Sequence, residues 1–299
     1  MLSALTDVIL PVVLVAALGA LLGRRFPLDA ASLNKVQLYG LVPALAFSSL
    51  MKTTAPLGDI VHLGVAYGLA SLVIGVLAWL AGVGLSRASR GGVIATVVIG
   101  NNGNFGLPIA LLALGQPGLD AAVLIFIFSL IVMWTVGPAA VGSHGGVRGA
   151  AVAVLRMPAI WAVVVAGALR AAQLTPPTAL TAAVDIVAAG AIPMVLLSLG
   201  IQLGRMGTLH LTRPVLTAAA LRVLALPLVA WGVGLGVGLR GLPLQSLVLA
   251  CAMPTAVNVL MIAMEYDADA DAVASIVALT TLASVITVAL VVANLPLFA

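Results

Sequence analysis

Ten apolar stretches, most of them close to the length of a bilayer crossing, constrain the fold of this chain more than any other feature. A helix needs roughly 20 such residues to cross about 30 Å of hydrocarbon. The first five stretches are Leu5–Gly23, Leu33–Met51, Val61–Leu85, Val93–Gly115 and Leu119–Val141. The second five are Ala159–Ala172, Thr178–Leu203, Pro214–Leu239, Leu247–Glu265 and Ala272–Asn294. The connections are short, the longest being Gly142–Met157, Gly-rich with Arg148 and Arg156, so no soluble domain fits between spans. Composition closes the alternatives. The 299 residues are 63% hydrophobic and 7% charged, against about 45–50% and 25% in soluble domains. Disorder needs low hydrophobicity and high net charge. The 13 basic residues are scattered singly, and form no stripe that would follow a nucleic acid. A single cysteine, Cys251, excludes an intrachain disulfide framework and a cysteine-rich metal site. The first stretch is too long for a removable signal peptide and lacks its small-residue cleavage site. The expected class is an all-α membrane protein with ten transmembrane helices.

Lys and Arg in the loops set the orientation of such a chain. With the N-terminus outside, Arg24, Arg25, Lys35, Arg87, Arg90, Arg148, Arg156, Arg205 and Arg213 fall on the cytoplasmic side. Lys52, Arg170 and Arg240 fall outside, and Arg222 is left within a span. The asymmetry favours both termini outside, in a cell inner (plasma) membrane.

The two halves resemble each other. Pro43 in the second stretch and Pro193 in the seventh each precede a serine by five residues, Ser48 and Ser198. The fourth stretch is interrupted by Gly100-Asn-Asn-Gly-Asn-Phe-Gly-Leu-Pro108, and the ninth by Met253-Pro-Thr-Ala-Val-Asn258. Five spans per half is an odd number, so the second half must enter the membrane upside down. The expected division is a first five-helix repeat over 1–141, a cytoplasmic loop at 142–157 and an inverted repeat over 158–299. Matched interruptions in inverted halves point to the binding site of a secondary transporter. Proline and glycine are common in membrane helices, so one break alone carries little weight; the pairing carries the argument.

Non-helical backbone survives at membrane depth only when buried in protein or lining a wet cavity. Pro108 and Pro254 break the helical ladder, while Gly103 and Gly106 permit unusual backbone and close approach. Each break leaves a half-helix N-terminus with free N–H groups and about half a positive charge, an end suited to an anion. Asn101, Asn104, Thr255 and Asn258 are the expected substrate ligands. An amide both donates and accepts, so support of the freed backbone is the competing role for each, and the more fitting one for Asn102. Arg222 lies deep in its span, at a cost of about 2.5–3.5 kcal/mol on insertion scales. Neutralising the substrate and holding the crossing, in the place a coupling cation takes in related carriers, are both open to it, as is snorkelling toward an interface.

Acidic residues are scarce at mid-membrane. Asp7, Asp29, Asp59 and Asp120 sit near loops or ends, and Asp185 lies toward the outer end of its stretch. Glu265, Asp267, Asp269 and Asp271 lack the Gly and Glu positions of an EF-hand and read as turn residues at a helix start. His62, His144 and His210 form no paired-His zinc motif, and no phosphate-binding loop is present. No enzyme, cofactor or resident metal is expected.

At Asn101-Asn-Gly-Asn-Phe-Gly-Leu-Pro108, and again at Met253-Pro-Thr-Ala-Val-Asn258 followed by Glu265-Tyr266, the chain resembles the auxin efflux carrier family of bacteria and plants. The resemblance in layout covers nearly the whole chain. It implies a ten-helix fold of the NhaA or bile-acid-symporter type with two crossing broken helices. Helices 1, 2, 6 and 7 would form a scaffold, often dimeric, and helices 3–5 and 8–10 a mobile transport domain. It further implies elevator-type alternating access and small organic anions as substrates, malonate, malate or lactate in bacteria and auxin in plants. Plant auxin carriers have a long hydrophilic central loop where this chain has only Gly142–Met157, so a bacterial-type carboxylate carrier is expected. The alternatives are a sodium- or proton-coupled cation exchanger of the same fold, which would want mid-membrane carboxylates, and a non-transporting scaffold or receptor, which would not need matched breaks.

Overall fold

The computed structural model describes residues 2–53, 57–141, 146–204, 209–266 and 268–298, and among them every regular element is helical. Arg205, His144 and Asp267 of the sequence reading lie outside the described residues.

Prolines shape the first layer of structure. Helix α1 (Leu10–Arg25) is entered through a π-helical turn at Ala4–Ile9. Helix α2 (Ala30–Val36) passes through a second, at Gln37–Leu41, into α3 (Val42–Lys52). Next come α4 (Leu57–Ala81) and α5 (Arg87–Val98). A third π turn, Asn102–Gly106, leads into α6 (Leu107–Val141). After α7 (Gly146–Leu155), α8 (Pro158–Ala171), α9 (Thr178–Ala189) and α10 (Ala191–Leu203), helix α11 (Arg213–Ala220) passes through a fourth, Leu221–Ala225, into α12 (Leu226–Val237). The chain continues as α13 (Gly241–Cys251), α14 (Asn258–Glu265) and α15 (Ala270–Ala293).

All four π turns end two residues before a proline: Pro11, Pro43, Pro108 or Pro227. A proline inside a helix has no N–H and collides with the carbonyl four residues back. Widening the preceding turn by one residue relieves that collision, which is why π bulges collect at such positions. The widened bonds are explicit: Leu10 N–H to Leu5 O, Val42 to Gln37, Leu107 to Asn102 and Leu226 to Leu221.

Helices fall on all ten apolar stretches. Six runs are long and apolar enough to cross a bilayer, namely Ala4–Arg25, Gly58–Ala81, Asn102–Ala140, Thr178–Leu203, Arg213–Val237 and Ala270–Ala293. Helices α8 and α13 are apolar but shorter. Within α6 the backbone turns at Gly115, whose φ of 69° is left-handed, so the run holds two helices folded at the point where the fourth and fifth stretches meet. Two local expectations are corrected. The segment 142–157, read as loop, contains α7, because its Ala-Ala-Val-Ala-Val-Leu run has no breaker before Pro158. The ninth stretch begins at Gly241 rather than Leu247: Pro243 is compatible with a first helical turn, and Gln245 is accommodated by donating to Leu295 O at 3.0 Å.

The outer surface is apolar, with Leu72 63% and Ile286 64% exposed, as suits lipid contact in a multi-pass membrane protein. Asp29 caps α2, accepting from Ser32 Oγ at 2.6 Å and from the amides of Ala31 and Ser32 at 3.1 Å. These bonds, the Ser32 hydroxyl foremost, hold its carboxyl below the usual carboxylate range. Asp269 does the same for α15, accepting from Ala272 N–H at 3.1 Å, so this member of the acidic cluster is the helix-start residue the sequence suggested.

The closest helix contact joins α1 and α10 in parallel. Each carries a small-residue repeat, Gly19-x-x-x-Gly23 and Gly200-x-x-x-Gly204. A Cβ on Gly19 would lie 2.2 Å from Leu197 O, and one on Gly200 would lie 1.8 Å from Ala16 O. Without a hydrophobic drive between helices in lipid, such backbone-to-backbone packing is a main source of association. Helix α3 packs against α8 and α9.

Candidate functional site

Helix α5 stops at Val98 and the chain is non-helical through Ile99, Gly100 and Asn101. Helix α13 stops at Cys251, and the chain is again non-helical to Val257. The two open segments cross as a single antiparallel bridge between Gly100 and Thr255. Asn101 N–H donates to Pro254 O at 2.8 Å and Ala256 N–H to Ile99 O at 3.0 Å. Some of the backbone groups freed by each break are thus satisfied by the other break and others by buried side chains, which is how open backbone survives away from water.

This crossing sorts the four half-helix ends by polarity. The two C-terminal ends, α5 and α13, meet at Arg222, whose side chain is 1% exposed. Its Nε donates to Met253 O at 2.8 Å, and Nη1 donates to Val97 O at 3.0 Å and Val98 O at 3.2 Å. Nη2 has no partner among the described residues and lies against Gly100, where a Cβ would come within 2.0 Å of it. Each helix C-terminus carries about half a negative charge, so one guanidinium offsets both. The two N-terminal ends, the turn Asn102–Gly106 leading into α6 and the start of α14, meet on the cavity side.

A cavity of about 40 Å³ opens there. Its polar lining comprises Asn34, Gln37, Asn101, Asn104, Ser129 and Asn258, and among the described residues no charged side chain lines it. Asn101 Oδ1 caps the turn by accepting from Asn104 N–H at 3.2 Å, and its Nδ2 is buried with no partner among the described residues. Gly103 also lines the cavity; a Cβ there would press to 2.8 Å from the Phe126 ring. Gly106 lets Met253 close in behind, with a hypothetical Cβ 3.3 Å from Met253 Cγ. Pro108 follows the π turn, and Pro254 supplies the carbonyl that Asn101 uses.

The expected ligands therefore divide. Asn101, Asn104 and Asn258 come together at the cavity. Thr255 does not: its hydroxyl donates to Thr96 O at 2.8 Å, its amide to Thr280 Oγ1 at 3.2 Å, and the residue is fully buried. Asn102 points elsewhere as well, donating from Nδ2 to Tyr67 Oη at 3.0 Å. Arg222 holds the crossing and does not line the cavity. Gln37, Asn34, Ser129 and Gly100 were not singled out from the sequence. Asn34 and Gln37 are three residues apart in an apolar span, hence on one helix face, and that polar pair was the available signal. Gln37 Nε2 donates to Ser198 Oγ and to Met194 O, tying the wall to α10.

Replacing Thr255 by the isosteric valine leaves Thr96 O without its donor, a loss of about 1–3 kcal/mol. Thr255→Val is expected to lower the melting temperature while leaving apparent substrate affinity within twofold. A tenfold affinity loss at unchanged stability would return the hydroxyl to the ligand set.

Comparison with known proteins bears on this geometry. Residues 149–292 match the profile of the family described as "Membrane transport protein". Over 294 residues the chain is 26% identical to an "Uncharacterized transporter" of Methanothermobacter thermautotrophicus, covering 95% of this chain and 96% of that protein. It is also 26% identical, over 303 residues, to a protein of Rhizobium meliloti named "Putative malonate transporter", covering 95% and 93%. An "Uncharacterized transporter" of Methanocaldococcus jannaschii is 24% identical over 295 residues, with 95% of each chain covered. The chain is similar over nearly all of its length to proteins named as transporters, and its second half matches a family of membrane transport proteins. The matched family is one of transporters and not of enzymes. Each break lies in a segment aligned with these carriers, whose relationship runs across both halves.

Proposed function

We propose that this carrier moves small carboxylates, malonate- or malate-like, by elevator-type alternating access, with the anion held between the crossed half-helix N-termini. The observation that supports this most is the cavity at the crossing, where two helix N-termini converge with Asn101, Asn104 and Asn258 and no carboxylate of the described residues opposes them. Helix N-termini and amide donors suit a carboxylate. A cation exchanger would want ionised acids at this depth. The name of the Rhizobium relative, a malonate transporter by its wording, points to the same substrate class.

The reading includes ten crossings as two inverted five-helix repeats, 1–141 and 158–299, with both termini outside the inner membrane. The parallel α1–α10 contact and the α3–α8 contact support it, since an inverted repeat pairs the first span of each half with the second span of the other. Spans 1, 2, 6 and 7 then form the scaffold, the natural dimer surface, and spans 3–5 and 8–10 carry the crossing. An indole-acetate-like anion belongs among the substrates to be tested.

Purified carrier in liposomes should exchange labelled malonate, with malate, lactate and indole-acetate as competitors. Asn104→Ala and Asn258→Ala are each expected to weaken apparent affinity about tenfold, the scale of one charge-assisted hydrogen bond. Unchanged affinity in both folded variants would remove them from the site. Absence of exchange for every anion would end the carboxylate reading.

A further inference from the structure

We propose that a groove between α4, α5 and α6 is a phospholipid site: it takes one acyl chain of an anionic lipid, and Arg87 and Arg90 at its mouth take the phosphate. The groove shares no lining residue with the cavity at the crossing.

The groove has a volume of about 460 Å³, within the range that small-molecule sites occupy. Gly68, Leu72, Gly75 and Trp79 line it from α4, at helical spacing and so on one face. Glycine makes that face concave: a Cβ on Gly68 would meet nothing within 4 Å, and one on Gly75 would stand 3.4 Å from Val98 Cγ2. Ile94 and Val98 line the groove from α5, and Val132 from α6. Trp79 is 49% exposed, and indoles of this kind gather at the headgroup level of a bilayer. Both α4 and α5 lead to the same charged end. Gly82 lies one turn beyond Trp79, and a Cβ there would be 2.7 Å from Arg90 Cγ. Arg87 and Arg90 precede Ile94 at helical spacing, on the face of α5 that borders the groove. Arg90 Nε donates to Gly82 O at 3.1 Å, which leaves its two Nη groups for a ligand. Among the described residues neither arginine pairs with a carboxylate. Asp269, bonded to Ser89 of the same turn at 3.0 Å, is committed to capping α15. An apolar slot ending in two guanidiniums matches a lipid tail ending in a phosphate, which Arg takes through parallel N–H bonds. The orientation proposed above places this mouth in the cytoplasmic leaflet, where anionic lipids collect. A zwitterionic lipid would bring its own cation against the arginines.

Protein purified in a neutral detergent and stripped of lipid should melt at least about 3 °C higher when phosphatidylglycerol is added. Phosphatidylcholine of the same chain length should shift it by less than about 1 °C, and glycerophosphoglycerol, the headgroup without tails, should not shift it. Native mass spectrometry should retain phosphatidylglycerol on the wild type. Arg87→Gln and Arg90→Gln should each raise the half-saturating lipid concentration about tenfold, the scale of one charge-assisted bond. Gly68→Leu, whose Cβ meets nothing, fills the slot. It should melt like the wild type in bare detergent and lose both the retained lipid and the shift. Equal shifts by the two lipids, or a full shift by the headgroup alone, would overturn the proposal. So would wild-type half-saturation in Gly68→Leu or in both arginine variants. Should Arg90→Gln fail to fold for want of its bond to Gly82, Arg87→Gln and Gly68→Leu decide. A Gly68→Leu protein that loses a dimer seen in the wild type and keeps its lipid would assign the groove to a second copy of the chain, and that too overturns the proposal.

Discussion

Gly200→Val is expected to leave little folded carrier, the largest stability loss of any single substitution considered for this protein. A Cβ at Gly200 would stand 1.8 Å from Ala16 O, 2.7 Å from Ala16 C and 2.8 Å from Ala20 N. All three are main-chain atoms, so no rotamer change relieves the overlap and the helices must separate. Overpacking in a tight core costs about 1–3 kcal/mol and occasionally more. Here the upper end applies, because the neighbouring contacts of Gly19, Gly23 and Gly204 along the same seam are lost together. Gly167→Ala, on α8 with nothing within 4 Å of the new methyl, should stay within about 0.5 kcal/mol of wild type. Melting temperature and monodisperse yield in detergent measure both. A Gly200→Val protein as stable as Gly167→Ala would show that α1 and α10 do not meet as described.

Gly100→Ala should slow transport roughly 100-fold while much of the fold survives. The glycine is not needed for its torsion, since its φ is not positive; it is needed for space. The added methyl would fall 2.0 Å from Arg222 Nη2 and 2.9 Å from Cζ. The guanidinium is anchored to three carbonyls and can withdraw only by giving up at least one charge-assisted bond, worth about 1.5–3 kcal/mol. That corresponds to roughly a 100-fold fall in exchange if the crossing must be intact to bind substrate. Gly103→Ala meets the edge of the Phe126 ring, a side chain able to tilt, so its loss should be smaller. Initial rates of malonate counterflow for the two variants, normalised to folded protein, make the comparison. Equal rates for Gly100→Ala and wild type would detach the arginine from the transport cycle.

Much of this architecture was legible in the chain because the rules that produce it are local. Apolar length places the helices, and a proline disrupts its own preceding turn wherever it stands. Hence Pro108 and Pro254 marked the two breaks, and the amides clustered at Asn101–Asn104 marked where a polar lining was needed. The same local logic could not say where the Thr255 hydroxyl points. A hydroxyl in a broken helix reads as a ligand until its acceptor is known, and that acceptor, Thr96 O, is 159 residues away in sequence. Gly19 and Gly200 carried a visible four-residue spacing, yet nothing in either segment alone says that they face each other.

The chain by itself determined that it spans a membrane repeatedly, that two of its spans are broken, and that the breaks are rich in amides and poor in acids. Those properties follow from hydrocarbon thickness and from the missing N–H of proline, neither of which depends on the rest of the molecule. Only the tertiary structure decided which ends of the broken helices face the cavity and which face Arg222. The partners of that arginine lie 31, 124 and 125 residues from it, and the direction of a dipole has consequences only once a second dipole is set beside it.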